Sequence, residues 1–299
     1  MIRISFIFQF LLFFSISFAQ IGMQLSQNSN FASGEQLNYP FPLTSTDTTE
    51  YKINENLFDI SASHKNFYLY TQLEYSDPPV FGENRTSFDN IINTYYLEYL
   101  GEKLNIKLGD IYSLYTRGLI FNTYQEQSTD FNNSISGLEL SYILKDWFRV
   151  YSIYGNDTYE FRSRPDNQLN DLSFDHSTLF LGSEIKPISD ITFNIQYLNQ
   201  KINISESDIT EGGVNTLEYY SNLFTVLGND VADSIVAFST DNIDNYNMNA
   251  DMLGFSIQGY LLGLDFYGEY TSNKYTKLQP GMETGQQTNG SLFYGSLYA

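Results

Sequence analysis

Cysteine is absent from this 299-residue chain, so neither a disulfide nor a thiolate metal site can form. Small exported domains usually depend on disulfides, but a closed β-barrel does not, because each of its strands pairs on both sides. Histidine is nearly absent, and only His64 and His176 could supply an imidazole. His176 precedes Ser177, and neighbouring residues on a strand point to opposite faces, so the two make a poor catalytic dyad. We therefore expect no catalytic residues, no cofactor and no enzymatic activity.

Basic residues are scarce as well. Lys and Arg number 15 against 35 Asp and Glu, which gives a formal net charge of −20. Nucleic-acid binding needs a basic face that displaces counterions from phosphates, so this class is excluded. Many carboxylates fall in expected loops, among them Asp230, Asp233, Asp241, Asp244 and Asp251. They are either solvated or ligands for hard cations, such as calcium or the divalent ions that bridge lipopolysaccharide; the EF-hand spacing is missing.

No hydrophobic run is long enough for a membrane-spanning helix, which needs roughly 18 or more apolar residues. The longest run, residues 4–18, follows Arg3 and ends at small residues, which is typical of a secretory signal peptide. We expect residues 1–19 to be removed and residues 20–299 to form the mature protein. The protein is therefore predicted to be exported.

Alternation of nonpolar and polar side chains is the dominant pattern that is present. In residues 66–75, Phe67, Leu69, Thr71, Leu73 and Tyr75 fall on one face, and Tyr68, Tyr70, Gln72 and Glu74 on the other. A period of two describes strands with one nonpolar and one polar face, and roughly 9–11 tilted residues cross a bilayer. The 25 Tyr and 24 Phe suit the aromatic girdles of a membrane barrel. A soluble Tyr-rich sandwich would use the same residues.

The connections between expected strands alternate between short and long. The strands are expected near 56–62, 66–76, 90–99, 104–112, 135–143, 148–156, 177–185, 191–201, 247–259, 264–272 and 290–298. In an up-and-down meander, all short turns lie at one end and all long loops at the other, as in outer-membrane barrels. A Greek-key sandwich would mix connection lengths at both ends. The sequence thus predicts an all-β, transmembrane, antiparallel up-and-down β-barrel located in the outer membrane.

The strand count is expected to reach about twelve if residues 21–31 form a weak first strand. Pro40 and Pro42 with the Thr-rich stretch 44–49 would form the loop that follows it. The last strand stops in Leu297-Tyr298-Ala299, without the terminal aromatic residue that many outer-membrane proteins have. We therefore expect the sequence to lack further C-terminal strands, so that twelve is a lower limit.

One long connection is unusually nonpolar. It leaves a strand at Asp110, passes Arg117-Gly118 and continues to Glu126 without a proline. A connection of this character needs cover from water, so we expect it to fold into the barrel mouth or to extend the wall. Arg117 is expected to pair with Asp110 or Glu126. These three residues would then line the lumen or a constriction that selects solutes by charge, or instead form a structural latch held by a buried ion pair.

The same segment carries a resemblance to a known family. Its motif is Gly109-Asp110-Ile111-Tyr112, Arg117-Gly118-Leu119 and Tyr124-Gln125-Glu126, followed by Asn133-Ser134-Ile135-Ser136-Gly137. These residues resemble an uncharacterised family of large outer-membrane barrels from Bacteroidetes-type bacteria, over residues 20–200. The resemblance implies an outer-membrane location and a barrel longer than this chain. It implies no chemistry.

Three functions remain open. The first is a pore or transporter for small solutes, which leads because a barrel wider than about eight strands has interior room unless it is plugged. The second is a non-enzymatic surface-binding or assembly component that uses its outer loops to hold a partner protein. The third is an exported soluble sandwich that binds carbohydrate. Under the first two, outer-membrane lipid and lipopolysaccharide surround the protein.

Overall fold

The computed structural model describes most of the chain as β-structure. The described residues are 21–37, 48–80, 84–126, 131–161, 172–204, 246–261, 263–278 and 286–298. Within these ranges, no helix is long and apolar enough to cross a membrane. The expected signal peptide, residues 1–19, lies outside the described residues and stays a prediction.

Twelve long strands form a single antiparallel sheet in which each strand pairs with its neighbours in the sequence. They are β1 (Gly22–Leu37), β2 (Thr48–His64), β3 (Phe67–Ser76), β4 (Ile92–Leu100), β5 (Leu104–Ile111), β8 (Ile135–Lys145), β9 (Phe148–Phe161), β10 (Leu172–Ile188), β11 (Ile191–Ile204), β12 (Tyr246–Leu261), β13 (Leu264–Leu278) and β14 (Gln286–Tyr298). Two short strands, β6 (Gln125–Glu126) and β7 (Phe131–Asn132), pair only with each other. The expected all-β, up-and-down architecture of about twelve strands is confirmed.

The two ends of the sheet differ in the length of their connections. Residues 65–66, 101–103, 146–147, 189–190 and 262–263 make the turns at one end. The connections at the other end are all longer, and the longest spans residues 205–245. The predicted alternation of short and long links is therefore correct, and all short turns lie at one end of the meander.

Several strands extend further than the hydrophobic alternation predicts. β2 begins at Thr48, not near residue 56, and β10 begins at Leu172, not near residue 177. Thr48 and Thr49 thus belong to a strand and not to the expected Thr-rich loop. These extensions lie at the long-loop end of the sheet, where main-chain pairing continues to Thr48 and Leu172 beyond the predicted strands.

Burial on the two faces is the reverse of that in a soluble sheet, as β11 illustrates. Phe193 is 39% exposed and Ile195 43%, whereas Asn194 is 7% exposed and Gln196 2%. Large nonpolar side chains are also exposed on the corresponding face of the neighbouring strands, among them Leu181, Leu253, Phe255 and Tyr270. We call this nonpolar face the outer face and the opposite one the inner face. β11 therefore shows the division into one nonpolar and one polar face that a period of two predicts.

A row of glycines crosses three neighbouring strands at one level of the sheet. Gly109 of β5 pairs with Gly137 of β8, which pairs with Gly155 of β9. A Cβ atom on Gly137 would lie 2.2 Å from the carbonyl oxygen of Tyr154 and 2.6 Å from the Cα of Gly155. Only glycine permits so close an approach of backbones, which marks a sharp local bend of the sheet.

The pairing among the described residues runs from β1 to β14 and does not join these two edge strands to each other. Since the meander has an even number of antiparallel strands, β1 and β14 run in opposite directions. Closure of a barrel by an antiparallel pair requires this arrangement. Among the described residues, the twelve strands therefore form an open sheet with the up-and-down topology of outer-membrane barrels.

Candidate functional site: a segment folded across the inner face

The connection after β5, residues 112–126, lies against the inner face of the sheet; we call it the inner segment. Ile120 is 7% exposed and Phe121 3%. The segment turns back on itself, since the Leu114–Asn122 bridge pairs its two arms. Thr116 (φ 58°) and Gly118 (φ 82°) take left-handed backbone conformations at its tip. The nonpolar side chains of the segment thus find their cover inside the sheet.

An aromatic cluster holds the segment in place. Tyr115 stacks on Tyr151 of β9, with ring centroids 4.2 Å apart, and Phe121 stacks on Phe180 of β10 at 4.6 Å. The buried core around these rings consists of Ile111, Ile120, Phe121, Ile135, Tyr151, Ile153, Phe180 and Leu198. Rings packed face to face contribute beyond the area they bury, by about 0.5–1.5 kcal/mol per pair. The cluster therefore fills the space next to β8–β12 and fixes the inner segment.

Polar contacts tie the near arm of the segment to β8. Ser113 and Tyr115 both donate hydrogen bonds to the carboxylate of Glu139, at 2.9 and 2.5 Å. Burial, together with the charge of Glu139, raises the pKa of Tyr115 above its ordinary value. The phenol therefore stays protonated and acts as a donor throughout the neutral range.

The tip of the segment reaches the far side of the sheet. Thr116 Oγ1 donates to Glu269 of β13 over 2.7 Å, and the backbone N–H of Arg117 lies within 3.3 Å of the same carboxylate. Tyr267 also donates to Glu269 and accepts a hydrogen bond from the Arg117 N–H at 3.1 Å. Glu269 is 1% exposed. We call Thr116, Arg117, Tyr267 and Glu269 the latch.

The three residues expected to line a constriction are not joined by ion pairs. None of the four ion pairs among the described residues includes Arg117. Its guanidinium lies over the ring of Tyr267, 4.7 Å from the centroid. Asp110 is buried and accepts a hydrogen bond from the backbone N–H of Tyr95 at 2.8 Å, and Glu126 lies in the short ladder of β6 and β7. The expected pairing of Arg117 with Asp110 or Glu126 is therefore wrong.

Sequence reasoning missed Glu269 as the partner of the segment. Asp265 is a second carboxylate on the same face of β13. Asp265 is exposed at the turn end of β13, whereas Glu269 is buried beneath the tip of the inner segment. No spacing in the sequence could reveal this contact, since the partners are separated by 153 positions.

The structure also places two other groups considered in the sequence, the His176–Ser177 pair and the acidic residues of the expected loops. His176 is buried on the inner face and Ser177 is on the outer face, since they pair with Ile202 and Lys201 of β11, so they do not form a dyad. Asp251 lies in β12, not in a loop, and accepts hydrogen bonds from Tyr197 and Asn199. The other loop carboxylates considered as cation ligands lie outside the described residues. Within the described part of the chain, no group of three or more His, Cys, Asp or Glu side chains could hold a metal ion.

The antiparallel meander with a nonpolar outer face and a polar inner face defines an all-β protein with the architecture of outer-membrane β-barrels. The chain belongs to a family of unknown function, DUF6029, whose sequence profile matches residues 3–229. The resemblance to an uncharacterised family is thus confirmed at this level, while the bacterial group stays a prediction. A sequence comparison with curated proteins finds no match.

Solved structures similar to this chain include two kinds of bacterial protein. A loop L8 deletion mutant of OmpT, an outer membrane protein of Vibrio cholerae, is 10% identical with a TM-score of 0.39, and the match covers 93% of this chain and 87% of that one. OccK2 (OpdF) of Pseudomonas aeruginosa, in complex with glucuronate, is 8% identical with a TM-score of 0.29, covering 93% and 98% of the two chains. OccD3 (OpdP) of the same organism is 10% identical with a TM-score of 0.31, covering 86% and 54%.

Proposed function

We propose that this protein is an outer-membrane β-barrel that admits small solutes through a lumen narrowed by its inner segment. The observation that carries the proposal is the reversed burial of β11, where Ile195 is 43% exposed while Gln196 is 2% exposed. A nonpolar outer face of this extent is unstable in water but matches lipid. In this proposal the sheet closes into a barrel, the short turns face the periplasm and the long loops face outward.

The lumen is expected to favour cations. Carboxylates outnumber cations on the inner face of the paired strands; the carboxylates include Asp59, Glu98, Glu139, Glu184 and Glu269, and the cations include Lys107 and Arg149. Both cations are neutralised, since Lys107 lies 3.4 Å from Glu98 and Arg149 lies 3.1 Å from Glu184. An excess of one sign of charge along a pore raises the local concentration of the opposite ion.

The test is to purify the protein from the membrane fraction with detergent and reconstitute it in planar bilayers. Folding is checked on a denaturing gel, because a folded barrel migrates differently in an unheated sample than in a boiled sample. We expect discrete conductance steps and a reversal potential in a salt gradient that favours cations. Folded protein without conductance would contradict the pore, and protein extracted without detergent would contradict the membrane location.

A second function, a surface-binding or assembly component, is favoured by one observation. The aromatic cluster and the latch fill the inner face beside β8–β12, as expected of a barrel that does not conduct. This function predicts a folded barrel that does not conduct and a partner protein that co-purifies with it.

A soluble carbohydrate-binding sandwich needs two packed sheets, whereas the twelve long strands lie in one sheet. Both membrane functions are non-enzymatic.

A further inference from the structure

The inner segment divides the lumen of the proposed barrel into two halves. It leaves the sheet at β5 and is latched at β13, the fifth and eleventh of the twelve strands. In a closed barrel of twelve strands these two strands would stand opposite each other, and the segment would cross the full width. The side next to β8–β12 is filled by the aromatic cluster. The side next to β14 and β1–β4 is not filled by this cluster, and we call it the open half. Among the described residues, its long-loop end is covered by the connection after β3, where Val80 contacts Glu55 and Arg85 pairs with Glu74.

The open half is lined by neutral hydrogen-bonding side chains. Along β1–β3 the inner face presents Gln24, Ser26, Asn28, Ser61, Ser63, Tyr68, Tyr70 and Gln72. These side chains are half-buried or exposed. Asp59 lies among them and accepts hydrogen bonds from Tyr70 (2.7 Å), Gln72 (2.8 Å) and Ser26 (3.0 Å), while Glu55 and Glu74 are buried further along the same face. The charge of Asp59 is thus shared among three donors, and the lining acts as an ordered set of donors and acceptors.

Three tyrosine rings stand beside this lining. Tyr70 stacks on Tyr96 of β4 with centroids 5.2 Å apart, and Tyr68 lies 6.1 Å from Tyr96. The Lys107 ammonium lies 4.0 Å from the Tyr96 ring centroid and is paired with Glu98, so its charge is not available to an anionic solute. The inner face of β2–β4 therefore combines aromatic surface with amide, hydroxyl and carboxylate groups.

We infer that the open half binds hydroxyl-rich, uncharged solutes, of which short oligosaccharides are the best match. A pyranose ring offers a face of C–H groups that packs on aromatic rings and a rim of hydroxyls that pair with Asp, Gln, Asn and Ser. An anionic solute would meet the carboxylate of Asp59 and a Lys107 that is already paired with Glu98, and a nonpolar solute would leave the polar lining unpaired. This inference deepens the proposed function and rests on it.

The first measurement uses maltohexaose as the probe and polyethylene glycol of similar mass as the control for size. With the reconstituted full chain, we expect reversible, concentration-dependent block of the current by maltohexaose and little block by the polymer at equal concentration. Equal block by both would mean steric obstruction only and would overturn the inference. Calorimetric titration of the detergent-solubilised barrel with maltohexaose measures binding even where no current flows.

Matched variants test the site. Tyr96 faces the lumen, while its neighbour Tyr95 is 52% exposed on the outer face. Tyr96→Ala should weaken binding of maltohexaose about tenfold, and Tyr95→Ala should leave it unchanged. Equal effects of the two substitutions would overturn the inference. Conductance without sugar binding would contradict the sugar site but not the proposed pore. Sugar binding without conductance would support the sugar site and contradict the pore.

Discussion

Thr116 donates a hydrogen bond to Glu269, although the two residues are 153 positions apart in the sequence. Thr116 lies in the connection after the fifth strand of the sheet, and Glu269 lies in the eleventh strand. Around it, Glu269 also accepts from Tyr267 and lies 3.3 Å from the Arg117 N–H. A buried carboxylate is tolerated only where donors satisfy it. The latch therefore explains both the burial of Glu269 and the position of the inner segment.

Glu269→Ala should release the tip of the inner segment. Three donors lose their buried acceptor, at a cost of about 1–3 kcal/mol, and the aromatic cluster still anchors the near arm. We expect a folded barrel whose single-channel conductance is larger and more variable than that of the wild type. Asp265→Ala, on the same strand but exposed at its turn end, is the matched control. Identical conductance for both variants and the wild type would show that the latch does not narrow the pore.

A charged residue placed on the outer face should destabilise the protein in lipid, and the loss should be larger the closer the residue lies to the middle of the bilayer. Ile195→Lys puts an ammonium in the middle of the nonpolar band of β11 and should lower the free energy of unfolding from vesicles by about 2–4 kcal/mol. Asn203→Lys places the same residue on the same face near the strand end, where the expected cost is about 0–1 kcal/mol. Equal losses for the two variants, measured by urea titration, would argue against lipid contact at Ile195.

The glycine row should not tolerate a methyl group. Gly137→Ala would bring a Cβ atom to 2.2 Å from the Tyr154 carbonyl oxygen, so we expect a loss of about 1–3 kcal/mol in the free energy of unfolding. Gly290→Ala on β14 makes the same substitution where no atom lies within 4 Å, and it should be close to neutral. A Gly137→Ala barrel as stable as Gly290→Ala would refute the close backbone approach.

The hydrogen bond from Tyr115 to Glu139 predicts a dependence of stability on alkaline pH. Because the folded-state pKa of Tyr115 is raised, its stabilisation is fully present below the unfolded pKa near 10 and is lost as pH rises toward the folded value. Near neutral pH, Tyr115→Phe should be less stable than the wild type by about 1.5–3 kcal/mol. The difference should shrink above pH 10. A difference that stays constant from pH 8 to 11 would contradict this role for the phenol.

Local pattern was enough to predict the sheet. The alternation of Phe193, Asn194, Ile195 and Gln196 predicts a strand with one face toward lipid, and each short turn follows such a strand. The strand ends and the short β6–β7 pair were missed. β2 reaches back to Thr48 because its main-chain pairing with β1 continues as far as Leu37, and hydrophobic alternation does not indicate how far such pairing extends.

The partners of the inner segment could not be predicted in the same way. Its nonpolar character indicated that it needs cover, but the pairing of Arg117 with Asp110 or Glu126 followed from proximity in sequence alone. The structure places the tip of the segment beside Tyr267 and Glu269 instead. Contacts across the inner face depend on how the sheet curves, which a period of two does not encode.

Lipid contact of the outer face can be measured most directly by a spin-label scan of β11 in membranes. The chain has no cysteine, so a single cysteine introduced in turn at each of residues 192–197 reports on that position alone. We expect collisions with dissolved oxygen, which concentrates in lipid, to peak at residues 193, 195 and 197 and to be low at 192, 194 and 196. Greater accessibility of residues 193, 195 and 197 to a water-soluble nickel chelate than to oxygen would contradict the membrane barrel.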